Sequence, residues 1–321
     1  MGHGVSFAYP VGSAAIVNPR VSIVVEWDNV LLAGSIRANA MLRTLAAEIQ
    51  GCDLPCETLL CHDPVAVPNL ELDVHGLPGI WRPVPVPGSR YYDLKNRGAL
   101  EASGDIIVFL DSDVIPEPGW LKTLLEPFAD PSVQVVAGHS YIDPGEVYSK
   151  AFALTWFFPL RTETRSIQPV SHFFANNVAF RRGTFLAHPF PTMDSTSRGA
   201  CVQLAKDLAA SGIIIWKTSA AQVAHPAPQP GRHFVLRALA QGRDRLHREQ
   251  GWRASFLGSF ARYGHNCGRG LVSTFRGRRQ VHLAWTGVPA VLAICFSYYS
   301  LCFAGEVMTH LRLPAVRRIQ I

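Results

Sequence analysis

Two aspartates separated by one serine, Asp111 and Asp113, sit in the stretch Gly104 to Trp120, GDIIVFLDSDVIPEPGW, where an apolar run stops at acids and turns through prolines. Carboxylates crowded at the mouth of a buried strand repel each other, and a counter-cation relieves that cost. Hard oxygen donors with room left for substrate phosphates suit Mg²⁺ or Mn²⁺. An Asp-x-Asp can equally be a helix cap or an Asx turn, so its weight here comes from its place directly after IIVFL. Other acids also follow apolar runs: Glu26 and Asp28 after Val21 to Val25, and Asp63 after Thr58 to Cys61. His225 lies immediately before Pro226, where it could ligate the same ion, touch a diphosphate or serve as a structural histidine.

The elements that must hold these residues are readable from apolar patterning. Val21 to Val25, Thr58 to Cys61, Ile106 to Leu110 and Val133 to Ala137 are short, rich in β-branched residues and bounded by Asp, Pro or Gly, which predicts buried strands. Helical patterns lie between them. Ile36 to Gln50 lines up Ile36, Ala40, Leu42, Leu45, Ala46 and Ile49, while Tyr92 to Ala102 and Trp120 to Phe128 predict shorter helices. Alternating strands and helices predict an α/β fold with a largely parallel sheet covered on both faces. In such sheets the ligand site lies at the carboxyl ends of the strands. Pro78 to Pro87, PGIWRPVPVP, is too proline-rich for a central strand and predicts an edge or extended connection.

Composition narrows the function classes. With 48% hydrophobic and 17% charged residues in 321, the chain is no disordered polar polymer, and its length suits one large domain plus something smaller. Seven cysteines with no CxxC pair predict reduced thiols rather than a disulfide framework or structural zinc. The residues through Pro19 lack a basic region followed by an apolar run, so the catalytic part is expected in the cytosol. Trp285 to Gly305 is uncharged and about as long as the ~20 residues that cross a bilayer, which predicts one transmembrane helix, with a buried core helix or a re-entrant hairpin broken near Pro289 as the alternatives. Just before it, Pro226 to Gln280 carries eleven arginines against two acids, a net +9 that exceeds the +6 of the whole chain. Such a segment is expected to rest on anionic cytoplasmic headgroups. No nucleic-acid-reading motif accompanies it, so nucleic acid is not an expected partner.

Several ordered blocks carry a resemblance over about Pro19 to Pro228. Val21 to Asn29, VSIVVEWDN, resembles an opening nucleotide-binding strand and turn; Leu59 to Pro64, LLCHDP, resembles a second strand ending in an acid. Lys95 to Gly98, KNRG, precedes the Asp-x-Asp strand; Phe174 to Arg182, FANNVAFRR, and Ala221 to Pro226, AQVAHP, follow it. In this order the blocks resemble a family 2 glycosyltransferase with the GT-A fold. The resemblance implies transfer of a sugar from a nucleotide-diphosphate sugar to an acceptor hydroxyl, with inversion. It implies a donor site of Glu26, Trp27, Asp28, Asp63, Lys95 and Asp111, a metal site of Asp111, Asp113 and His225, and acceptor-side residues Asn176, Asn177 and Arg198. The domain organisation that follows is an N-terminal extension (1–18), a GT-A domain (19–228), a basic membrane-proximal helical segment (229–280), a transmembrane helix (281–306) and a tail (307–321).

The pattern breaks at the acceptor base. The acidic pair that supplies it in the family falls at about Ala200 and Cys201, neither a carboxylate, and the nearest substitute is Asp194. Glu26 and Trp27 also replace the Pro and small residue common in the family. The leading expectation is a membrane-anchored, metal-dependent enzyme acting at the cytoplasmic face on a lipid-linked or polysaccharide acceptor. The alternatives are a catalytically silent GT-A module that binds nucleotide or a membrane partner, and a nucleotidyltransferase, whose Gly-rich basic N-terminal loop is not found here.

Overall fold

The computed structural model describes residues 20–67, 76–192, 199–317 and 319. Its first half runs β1 (Val21–Glu26), α1 (Val30–Ala33), α2 (Ser35–Gln50), β2 (Cys56–His62), β3 (Ile80–Pro85), α3 (Tyr91–Glu101), β4 (Ile106–Asp111), β5 (Ile115–Pro116) and α4 (Trp120–Leu125). Next come β6 (Val135–Ile142), α5 (Val147–Thr155), β7 (Ile167–Val170), β8 (Asn177–Arg181), α6 (Arg182–Ala187), α7 (Ala200–Ala210) and β9 (Ile215–His225). Four helices close the described chain: α8 (Arg232–Arg248), α9 (Phe256–Gly277), α10 (Val288–His310) and α11 (Pro314–Arg317).

One mixed sheet carries the order β3, β2, β1, β4, β8, β6, β9, β5, with β7 paired to β9. Strands β3, β2, β1 and β4 are parallel, β6 is parallel to β9, and β8 enters antiparallel between β4 and β6. The proline-rich run forms edge strand β3, where missing amide donors cost least. β1 and β2 are buried along their whole length because helices cover both faces. On one face Met41, Leu45 and Ile49 of α2 pack against Val21, Ile23 and Val25. The buried side of α2 also holds Ala38, whereas Ile36, expected on that side, is exposed: two residues before Ala38 at ~100° per residue, it points away from the sheet.

On the other face α3 lies close against the sheet. A Cβ at Gly98 would stand 2.4 Å from Val24 Cγ1, so a glycine is what lets this helix approach. One turn earlier on the same side are Lys95 and Tyr91, aimed at the strand ends. A third core cluster joins α5, α8 and α10 through Phe152, Trp156, Ala238, Val291, Tyr298 and Cys302. The basic segment is thus two helices rather than one surface strip, and Arg237 and Arg243 within it are buried. α10 and its preceding turn are long and apolar enough to cross a membrane by length and composition, and about a third of that stretch is buried in the protein.

Candidate active site

The register of the parallel ladder sets the site, because Glu26 at the end of β1 pairs directly with Asp111 at the end of β4. Asp111 is held from the protein side. Lys95 Nζ, fully buried, donates to Asp111 Oδ1 at 2.6 Å and to the Leu110 carbonyl at 3.1 Å. The Tyr91 hydroxyl donates at 2.9 Å, and Asn29 Nδ2 lies 3.4 Å from Oδ2. Burial, followed by the neighbouring Asp111 charge, pushes the Tyr91 phenol well above its usual range, so it stays a donor. The cation expected to reach the nucleotide is instead spent on neutralising Asp111.

Glu26 has a different fate. Burial first, and the Asp111 carboxylate second, raise its carboxyl well above the ordinary value, which favours the protonated acid. Oε1 accepts the Asn29 amide at 3.2 Å, while Oε2 has no hydrogen-bond partner among the described residues. Trp27 turns into the core beside it. Asp28 ties the first two strand ends together, its Oδ1 accepting the Asp63 amide at 3.0 Å, and desolvation raises its pKa. Asp63 closes an Asx turn onto the Val65 amide at 2.9 Å.

Asp113 faces His225 from the neighbouring turn, with Oδ2 3.8 Å from Nε2. His225 Nδ1 lies 2.6 Å from the Pro226 carbonyl, which can only accept, so the proton is on Nδ1 and the Nε2 lone pair points toward the carboxylate. Desolvation lowers the imidazole pKa to about 4, keeping it neutral. An imidazole lone pair facing a carboxylate is an arrangement that a cation relieves, and the nitrogen-plus-oxygen donor set fits a divalent ion with positions left open. Among the described residues no group of three or more His, Cys, Asp or Glu side chains is placed to hold a metal ion, so Asp111 does not join Asp113 and His225 in a three-ligand site. Arg37 braces this corner by donating to the Asp113 carbonyl through Nε and to the Ala224 carbonyl at 2.8 Å through Nη2. Nothing in the sequence pattern marked Arg37, because its partners are backbone oxygens brought together only by the sheet.

Two cavities meet here. One, of about 160 Å³, is lined by Asn29, Arg37, Asp111, Asp113 and His225; the other, of about 350 Å³, is walled by Tyr91, Tyr92, Phe157, Phe158 and Phe174. Asp111, His225 and Arg237 belong to both. Arg237 is buried with its guanidinium 5.3 Å from the Trp156 ring. One face of α8, Arg237, Gln241, Asp244, Arg245 and Arg248, lines the larger cavity at helical spacing. That stripe is the signal a sequence reading could have used, had the arginines not been grouped with the surface charge. Asn176 lines the same cavity and accepts the Ser140 hydroxyl at 2.9 Å. Asn177 is committed inside the sheet, accepting Trp120 Nε1 at 2.9 Å and donating to the Ala221 carbonyl at 3.0 Å. Asp194 and Arg198 lie outside the described residues.

Residues 89–187, which contain α3, the Asp-x-Asp turn and β8, match the glycosyl transferase family 2 model. The chain carries a glycosyl transferase family 2 domain. A 43-residue segment, 13% of the chain, is 49% identical to the pre-mycofactocin glycosyltransferase of Mycobacterium tuberculosis. That segment spans 9% of the relative's length. Among solved structures, the mannosyltransferase from Pyrobaculum calidifontis in complex with GDP-Man and Mn²⁺ superposes with a TM-score of 0.51 at 14% identity, over 96% of this chain and 91% of that one. Glucosyl-3-phosphoglycerate synthase from Mycobacterium tuberculosis, in complex with phosphoglyceric acid, aligns with a TM-score of 0.41 at 18% identity, over 66% of this chain and 73% of that one. The chain therefore has a GT-A-type α/β fold, with acids at the carboxyl ends of β1, which precedes the matched stretch, and of β4 within it.

Proposed function

We propose that the family 2 domain is a metal-dependent inverting glycosyltransferase that takes a nucleotide-diphosphate sugar and transfers its sugar to an acceptor hydroxyl at the cytoplasmic face of a membrane. The observation that carries this reading is the meeting of a small polar cavity and a larger aromatic one at Asp111, His225 and Arg237. A donor in the first and an acceptor in the second would place the anomeric carbon at that junction. Asp113 and His225 would hold Mn²⁺ or Mg²⁺, which when bound neutralises the diphosphate leaving group. Asp111, fixed by Lys95 and Tyr91, and Asp28 and Asp63 at the neighbouring strand ends would position ribose and base. Arg237 adds a buried positive charge at the junction, where the leaving group gains negative charge. Asp194 is the proposed base, with Asn176 and Arg198 on the acceptor side.

The wall chemistry of the larger cavity, aromatic faces with Arg237, Arg245 and Arg248, fits an acceptor having an apolar body and an anionic group, as a lipid-linked phosphate would. A silent nucleotide-binding module is favoured by one observation: Ala200 and Cys201 open α7 where an acidic pair would supply the base. The two readings separate in one experiment. Nucleoside diphosphate release is measured from a panel of sugar nucleotides with and without Mn²⁺; metal-dependent release supports the enzyme, and nucleotide binding without turnover on any acceptor supports the silent module.

A further inference from the structure

α9 is built inside out for a soluble helix. Its buried positions are the small residues Gly258, Ser259, Gly270, Thr274 and Gly277, while Phe256, Leu257, Phe260, Leu271, Val272 and Phe275 are exposed along one side. They fall into two groups on that side, Phe256, Leu257 and Phe260 near the first end and Leu271, Val272 and Phe275 near the second, with exposed Ala261, Gly264 and Gly268 between them, about 30 Å in all at ~1.5 Å per residue. A tryptophan stands at each end of it. Trp252 is 66% exposed just before α9, and Trp285, 63% exposed, packs on Phe275 at the other end. Arg253 and Arg312 are exposed at the first end, Arg276 and Arg279 at the second. Residues 251–321 hold nine arginines and a single acid, Glu306, which is buried against Arg262 at 2.5 Å. No exposed carboxylate side chain therefore lies within this segment among the described residues.

α9 and α10 form an antiparallel hairpin: Ser259 reaches His310, Tyr263 reaches Ser300, and Gly270 lies on Cys295. The inner side of α10 is fastened along its length to the rest of the fold. Near its start Gly287 meets Val147 of α5, and farther along a Cβ at Gly305 would stand 2.2 Å from the Leu239 carbonyl of α8. Sending α10 across a bilayer would carry α5 and the cavity-lining α8 into lipid with it. α9 leaves its large apolar side chains well exposed even where Phe256 and Phe260 lean on Phe303 of α10 and Phe275 on Trp285: all six keep 40% or more of their surface open.

We infer that the protein sits on one leaflet of an anionic phospholipid membrane through the outer stripe of α9, lying in the interface plane, with α10 as its internal support and not as a span. Apolar side chains enter the acyl boundary, the two tryptophans mark the interface, and the arginines meet headgroup phosphates. This rests on the membrane-face reading above and names the surface that makes the contact. Because α8 packs on Tyr298, Cys302 and Gly305 of α10 and α9 on the adjacent side at Cys295, Tyr299 and Glu306, the arrangement also fixes which face of the domain is turned toward lipid.

The test uses the full chain with vesicles of phosphatidylcholine alone or mixed with phosphatidylglycerol. Expected is sedimentation with the mixed vesicles at least about tenfold tighter than with the neutral ones, since each headgroup-facing arginine adds on the order of 1 kcal/mol. Leu257→Asp with Val272→Asp, both on the exposed side, should lower binding by a further factor of about ten or more without changing the melting curve. Quenching of Trp252 and Trp285 by shallowly brominated lipid should accompany binding and vanish in the double variant. Retention of the double variant in membranes after alkaline carbonate washing would establish α10 as a span and overturn the inference. Conversion of a wild-type dimer to a monomer by the same changes, with no loss of vesicle binding, would assign the stripe to a second copy and overturn it too. Nucleotide release from a sugar nucleotide supplied with a panel of detergent-solubilised acceptors needs no vesicle, so its absence in both proteins would count against the enzyme reading alone.

Discussion

Asp111 and Asp113 share a motif but not an environment. Lys95 and Tyr91 neutralise Asp111 from within, whereas Asp113 meets a neutral imidazole. Lys95→Met should then leave a buried carboxylate unpaired and cost roughly 3–5 kcal/mol in chemical denaturation, with much of the loss recovered when Asp111→Asn is added. Asp113→Ala should preserve the melting curve while lowering Mn²⁺-dependent nucleotide release by about 10²–10³-fold. Unchanged turnover in that variant would remove the metal assignment. For His225 the sign is set by burial: its pKa in the folded protein, about 4, lies below the ordinary 6.5. Stability linked to the neutral ring is fully present above the ordinary value and lost as pH falls through about 4. His225→Gln should therefore flatten that acid limb, by on the order of 3 kcal/mol at its low end, in denaturation curves taken across the window. The Asp-x-Asp motif and His225 were legible as chemistry in the sequence. The pairing of Lys95 with Asp111 was not, since it depends on α3 lying flat on the sheet.

At the scale of elements, the strands with unbroken β-branched runs were readable because burial on both faces leaves no polar position to confuse the period. β7 and the early part of β9 escaped, the first because Ile167–Val170 is short and carries a proline, the second because Ile215–His225 mixes Lys, Thr, Ser and Gln with its apolar residues. The tail helices were harder for a related reason. In α9 the glycines and arginines dilute the apolar signal, although its large residues all fall on one side. α8 and α10 approach through paired glycines: a Cβ at Gly242 would lie 1.9 Å from the Cys302 carbonyl. Gly242→Ala must push the helices apart, an overpacking cost of about 1–3 kcal/mol. Because Gln241, Asp244 and Arg245 on α8 line the larger cavity, the expected kinetic signature is a raised KM for the acceptor with an unchanged KM for the sugar nucleotide.

For the whole molecule, the question is whether the last helices are an appendage or part of the fold. An appended anchor could be cut away to leave a soluble enzyme, which is what a transmembrane reading of Trp285 to Gly305 implies. The packing argues otherwise. Val288, Val291, Cys295, Tyr298, Tyr299 and Cys302 belong to the same core cluster as Phe152, Trp156 and Ala238. Tyr298 also donates to Gln241 Oε1 at 2.7 Å and accepts from Trp156 Nε1 at 3.2 Å, joining α10 to a wall of the larger cavity and to a wall of the smaller one. Each large side chain removed forfeits about 1.5–3 kcal/mol of burial, and a few such losses match the ~5–15 kcal/mol by which a domain is stable. Truncation after Gln280 should accordingly give a chain that expresses poorly, binds hydrophobic dyes and lacks a cooperative melt, even in buffer containing detergent. A truncated protein that is monomeric, melts sharply and still releases nucleotide would show that α10 holds the membrane and nothing else.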